Sequence, residues 1–103
     1  MITIESFTSH DITLNNGETT HYDEAGSKIG VPLIFLHGYP EIAESWKNQI
    51  QYFSDRSKYR LVALDMRGFG LSSAPTDNRA YAMEALVTEL VDFVEKLGIK
   101  TAI

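Results

Sequence analysis

Hydrophobic and polar residues alternate early in the chain and then give way to solid apolar runs. Ile2, Ile4, Ile12 and Leu14 alternate in part with polar neighbours, and Asn15-Asn16-Gly17-Glu18 supplies residue types that take positive φ in a tight turn. Two antiparallel strands are predicted, over residues 2–14 and Thr19–Glu24, the second stopping at Ala25-Gly26. After a short connection at Ser27–Gly30, Val31-Pro32-Leu33-Ile34-Phe35-Leu36 is unbroken, the pattern of a central strand covered on both faces.

Trp46, Ile50 and Phe53 fall at spacings of four and three, one face of a helix over Glu44–Phe53. Arg60–Leu64 repeats the buried-strand pattern. Asp65–Asn78 contains Gly68, Gly70, Ser72, Ser73 and Pro75, a loop by composition and longer than most connections, which favours a functional role. Met83, Leu86, Val87, Leu90, Val91, Val94 and Leu97 then recur at three and four, predicting a helix packed through that stripe. Asp77 or Asn78 would cap it, Gly98 would stop it, and Glu84, Glu89, Asp92, Glu95 and Lys96 would form its solvated face. Ile99–Ile103 begins a further strand. The order hairpin, strand, helix, strand, helix, incipient strand is that of an α/β protein with a mostly parallel sheet. With no repeat, low-complexity tract or linker, residues 1–103 form one domain.

Charge and composition narrow the classes. Nine Lys and Arg against fourteen Asp and Glu give a net charge of −5, without the basic stripe that binding to a phosphate backbone requires, so no nucleic-acid partner is expected. No apolar run approaches the roughly 18 residues of a membrane span, and Met1 opens no signal-like segment. The absence of cysteine excludes disulfides and thiolate chemistry and suits a cytoplasmic location. His10, His21 and His37 show no metal-ligand spacing, and no metal or cofactor is expected.

The chemistry-bearing residues follow the two buried strands. In His37-Gly38-Tyr39-Pro40-Glu41, Gly38 lets backbone approach a ligand and Pro40 restricts Tyr39 to extended geometry, fixing the direction of its N–H at the edge where α/β sheets bind ligands. Asp65-Met66-Arg67-Gly68-Phe69-Gly70-Leu71-Ser72 follows the second strand. Together the HGxP turn and the DxRGxGxS loop resemble the α/β-hydrolase fold family, and HGYPE followed by Trp46 is most similar to its epoxide-hydrolase and haloalkane-dehalogenase branch. The resemblance spans nearly the whole chain as the amino-terminal part of such a domain, without the cap domain.

It implies that the backbone N–H of Tyr39 is an oxyanion-hole donor. His37 would order the turn without being the catalytic base, and Gly38, Pro40, Glu41, Asp65, Arg67, Gly68, Gly70 and Ser72 would support the active-site edge. It also implies two-step hydrolysis of a small hydrophobic substrate. A carboxylate would attack an epoxide, and water activated by a His–acid pair would cleave the covalent intermediate; ester and haloalkane hydrolysis are the alternatives within the fold. The family's nucleophile stands in a Gly-x-Ser-x-Gly or Gly-x-Asp-x-Gly elbow, and neither pattern occurs in this sequence. The 103 residues alone are therefore expected to be inactive. With strand edges and helix faces left bare, they are expected to form a homo-oligomer or to complement a carboxyl-terminal fragment, as a non-catalytic self-assembling half-sheet would.

Plainer readings stand beside these. Asp65 and Arg67 could form a surface ion pair and shape the loop, Trp46 could be core, and His10 and His21 could be solvated on the hairpin. Gly68-Phe69-Gly70 begins like a dinucleotide fingerprint, but it lacks the third glycine and the helix that must open at once, so a nucleotide is not expected.

Overall fold

The computed structural model describes residues 8–38, 42–54 and 58–103. It contains four strands, β1 (Thr8–Thr13), β2 (Thr19–Gly26), β3 (Val31–Phe35) and β4 (Tyr59–Leu64), and two helices, α1 (Lys47–Ser54) and α2 (Met83–Lys96). A 3-10 turn precedes each helix, at Ala43–Trp46 and Asn78–Tyr81. The sheet order is β1-β2-β4-β3, with β1–β2 and β2–β4 antiparallel and β3–β4 parallel. The fold is α/β, as the pattern predicts, but among the described strands the sheet is mixed and not mostly parallel, because β2 enters it antiparallel to β4. The predicted first strand before Thr8, with Ile2 and Ile4, lies outside the described residues.

Period-two alternation along β4 sends its side chains to two cores. Val62 and Leu64 join Leu14, Tyr22 and, from α2, Phe93 on one face, while Leu61 and Ala63 join Ala25, Ala43 and, from α1, Ile50 on the other. Trp46 and Phe53 flank the second cluster, with Trp46 5.2 Å from Phe35 between ring centroids. The Trp46–Ile50–Phe53 face is thus a packing face. Burial pushes the Tyr22 phenol above the ordinary tyrosine pKa; the Glu24 carboxylate adds to the shift and Arg60 opposes it.

Several expectations change. The hairpin loop takes positive φ at Gly17 alone (φ 86°); the Gly17 N–H donates to Leu14 O and the Leu14 N–H to Glu18 O. This suits a three-residue loop in which a type I turn is followed by a left-handed glycine. Val31–Phe35 is not central among the described strands. It stands at the sheet edge, half-buried, and among the described residues its outer side pairs with Ile103 alone: Ile103 N donates to Pro32 O and Ile34 N to Ile103 O, one step of a parallel ladder, so the strand expected over Ile99–Ile103 is present only as this single bonded residue.

On α2, Phe93 is fully buried although it lies off the predicted stripe, with Leu90, Val94 and Leu97 around it. Met83, Val87 and Val91 of that stripe are exposed. Helical spacing permitted either apolar row to face the sheet, and the larger aromatic area decides. The supposedly solvated acids also divide. Asp92 accepts from the backbone N and side-chain Nδ2 of Asn15 at 2.7 and 2.8 Å, joining the hairpin turn to α2, and Glu89, largely covered, pairs with Arg67. Asp77 caps the 3-10 turn through the Arg79 N–H, while Ala82 opens α2 without a side-chain cap. Beyond the last turn, Gly98 N donates to Glu95 O and Ile99 N to Val94 O, a Schellman ending.

These assignments predict that Phe93→Ala destabilises the chain by about 3–5 kcal/mol. Val87→Ser should stay within about 0.5 kcal/mol of the parent. Urea denaturation followed by circular dichroism measures both, and the reverse ranking would overturn the assignment of the buried face.

Candidate functional site

Because β3 and β4 are parallel neighbours, the segments that follow them leave from the same edge of the sheet. His37 and Gly38 follow β3, and the Asp65–Ser73 loop follows β4. Tyr39, Pro40 and Glu41 lie outside the described residues, so the expected oxyanion donor has no described geometry. Its two flanks do.

On the near flank, His37 is buried, its ring edge-on to Phe69 at 5.3 Å between centroids. The Met66 N–H donates to His37 Nε2 at 2.8 Å. That nitrogen must therefore be the acceptor, which places the ring proton on Nδ1, 3.0 Å from Gly38 O. Both ring nitrogens are engaged within the protein.

On the far flank, Ala43 opens the turn that runs into α1, and its N–H donates to Asp65 Oδ1 at 2.7 Å. The other Asp65 oxygen accepts from the Leu71 N–H at 3.0 Å. Asp65 is 4% exposed, and among the described residues no cation pairs with it. Backbone N–H groups satisfy a buried carboxylate here.

The expected Asp65–Arg67 surface pair is not formed. Arg67 is also buried and turns to the opposite face of the sheet. It forms an ion pair with Glu89, with Nε 2.7 Å from Oε2, and NH1 donates to Ala80 O at 2.7 Å. The loop thereby grips α2. Burial made a counter-ion obligatory for Arg67, but helix periodicity alone assigned Glu89 to solvent.

The remaining motif positions are structural at short range. Ser72 Oγ donates to Asp65 O at 2.6 Å and accepts the His21 N–H at 2.8 Å, while Ser73 Oγ accepts the Thr19 N–H at 2.8 Å. The loop is thus sewn to the start of β2, with Asp65 N donating to His21 O and Ser73 N to Thr19 O. Gly70 has φ 53°, and a Cβ there would lie 2.2 Å from Asp65 Oδ2, so only glycine closes over the carboxylate. Gly68 packs against the Tyr81 ring.

His21 is not solvated as expected: its side chain is 12% exposed, 2.8 Å from Asp11 and 3.5 Å from Asp23. His10 stacks on Tyr22 at 5.1 Å. Among the described residues, no three His, Asp or Glu side chains converge as a metal ion would require, and no helix is long and apolar enough to cross a membrane. An open cleft of about 370 Å³ lies between hairpin and loops and reaches Asp23, Ile42, Asp65 and Leu71. A larger one, about 450 Å³, lies over Arg67, Glu89 and the hairpin turn. Neither is lined by His37 or Gly38.

The pattern that a family described as "alpha/beta hydrolase fold" shares matches residues 31–103, both loops included. The chain belongs to the alpha/beta hydrolase fold family. It is epoxide-hydrolase-like within it. Mouse epoxide hydrolase 4 is 39% identical over 84 residues, 82% of this chain and 23% of that protein. Mouse bifunctional epoxide hydrolase 2 is 41% identical over 92 residues, 89% of this chain and 16% of that one. The crystal structure of an epoxide hydrolase from Vigna radiata superposes with a TM-score of 0.90 at 34% identity, covering 99% of this chain and 31% of that one. The chain therefore spans about a quarter or less of these two curated relatives.

Gly70→Ala is expected to cost about 2 kcal/mol or more, from left-handed strain and collision with the Asp65 carboxylate. Chemical denaturation measures this; a neutral substitution would show that the loop does not close over Asp65 as described.

Proposed function

We propose that this chain is the oxyanion-side portion of an epoxide hydrolase, with the Tyr39 backbone N–H as one donor of the hole. The observation that carries the reading is the double anchoring of the turn: His37 is tied to Met66 and Ala43 to Asp65, so both ends of the segment around Tyr39 are fixed. A hole works by being fixed before charge develops. Such an enzyme takes a small hydrophobic epoxide. A carboxylate oxygen supplied by further chain bonds to an epoxide carbon as its C–O bond opens, and the freed alkoxide oxygen takes a proton from an acid of that further chain to become a hydroxyl. Water that gives a proton to a His–acid pair of the same further chain then adds to the ester; the tetrahedral oxyanion accepts a hydrogen bond from the Tyr39 N–H and collapses, breaking the ester C–O bond to release the diol and restore the carboxylate. His37 orders the turn and Asp65–Ser72 supports it. No cofactor enters this scheme.

In this reading the 103 residues form one partial domain and are inactive alone, because they carry no nucleophile elbow. An ester or haloalkane substrate would follow from a different nucleophile on the same frame. The half-bare β3 edge favours cover by a complementing carboxyl-terminal portion or, for the chain by itself, by a second copy.

A chimera tests the central reading. This chain, joined to the part of the Vigna radiata epoxide hydrolase that follows its matching region, is expected to hydrolyse styrene oxide to the diol, while the chain alone does not. A chimera that folds by circular dichroism and leaves the epoxide intact overturns the assignment. Sedimentation of the chain alone should give a dimer or larger species; a cooperatively melting monomer would remove the self-assembly reading.

A further inference from the structure

We propose that Asp65 is a positioning residue for the oxyanion turn, acting through the helix that leaves it; this rests on the Tyr39 reading above. Three observations combine. Asp65 Oδ1 accepts the Ala43 N–H at the start of the 3-10 turn that runs without a break into α1, so the carboxylate caps that helix from another part of the chain. Oδ2 accepts the Leu71 N–H, and the space beside it is closed by Gly70, where a Cβ would strike the same oxygen. The next residue, Met66, holds His37.

Consecutive residues of β4's exit thus fix both ends of the segment from His37 to Ala43. An open cleft reaches the residue, but both carboxylate oxygens are occupied by backbone N–H groups, which separates Asp65 from a nucleophile or a proton carrier. Its effect is on backbone freedom: tethering both ends of a short segment removes conformations in which the intervening N–H groups point elsewhere. A catalytic donor is sensitive to such placement.

Asp65→Asn is the informative change, because it keeps shape and volume. A carboxamide offers one oxygen and one NH2 group, so either Ala43 or Leu71 loses its acceptor and meets a donor. In the chimera, kcat is expected to fall about tenfold, the worth of one lost hydrogen bond to a charged acceptor, with KM changed less than about twofold. Phe93→Leu, in the core beneath α2, serves as the control for lost stability. Assayed below its Tm, it should keep the parental kcat. If Asp65→Asn lowers kcat no more than Phe93→Leu at equal loss of Tm, Asp65 is merely structural and the proposal is overturned.

Amide hydrogen exchange on the 103-residue chain provides a readout independent of turnover. Asp65→Asn should speed exchange at Ala43, Leu71 and Met66, the amides bonded in the two tethers, about tenfold relative to Val62 and Ala63. Unchanged exchange at those three amides overturns the proposal even if kcat falls. An unsubstituted chimera that folds but is inactive, together with accelerated exchange in Asp65→Asn, would sink the oxyanion reading while leaving the tether intact.

Discussion

A buried carboxylate must find hydrogen-bond donors, and at Asp65 those donors are the backbone of two different segments. This requirement organises the carboxyl edge of the sheet. The Ala43 N–H comes from the chain after β3 and the Leu71 N–H from the loop after β4. Satisfying one carboxylate therefore brings two loops that are distant in sequence into fixed relation. Gly70 is needed because the loop must pass directly over the acid, and Ser72 because its hydroxyl joins the Asp65 carbonyl to β2. The DxRGxGxS pattern is thus a set of solutions to one burial problem.

Arg67 extends the same logic across the sheet. Asp65 faces the α1 side, whereas Arg67 reaches Glu89 and Ala80 O on the α2 side. One short loop consequently couples to both layers. A buried ion pair contributes little net stability compared with apolar packing, but breaking one partner is costly. It therefore specifies where α2 must sit more than it strengthens the fold.

Much of this was legible in the sequence, and the reasons differ by element. Solid apolar runs located β3 and β4, and the glycines and serines of residues 65–73 marked a working loop. The face of α2 was not legible, because Met83–Val87–Val91 and Leu86–Leu90–Phe93–Leu97 are both apolar at helical spacing. Only the Tyr22 and Phe93 rings, packed edge-on at 5.2 Å, break the tie. The Arg67 partner was hidden for a related reason, since an acid on a helix reads as solvated until a buried cation lands beside it. The Val31–Leu36 run showed that the strand is apolar but not how many neighbours it has. At the candidate site, the residue types at positions 37, 38 and 65–72 were readable, but the reach of Asp65 to Ala43 was not. A tertiary cap leaves no local pattern.

The contact between Ile103 and β3 also governs phase. Ile103 bonds to Pro32 and Ile34 and so lies opposite Leu33, whose side chain belongs to the α1 layer. In a pleated ladder, opposed residues share a face and successive ones alternate. The spacer from the Gly98 helix stop to Ile103 is therefore a ruler with a parity: losing or gaining one residue there would place opposite Leu33 a residue of the other phase, sending a side chain meant for one layer to the other.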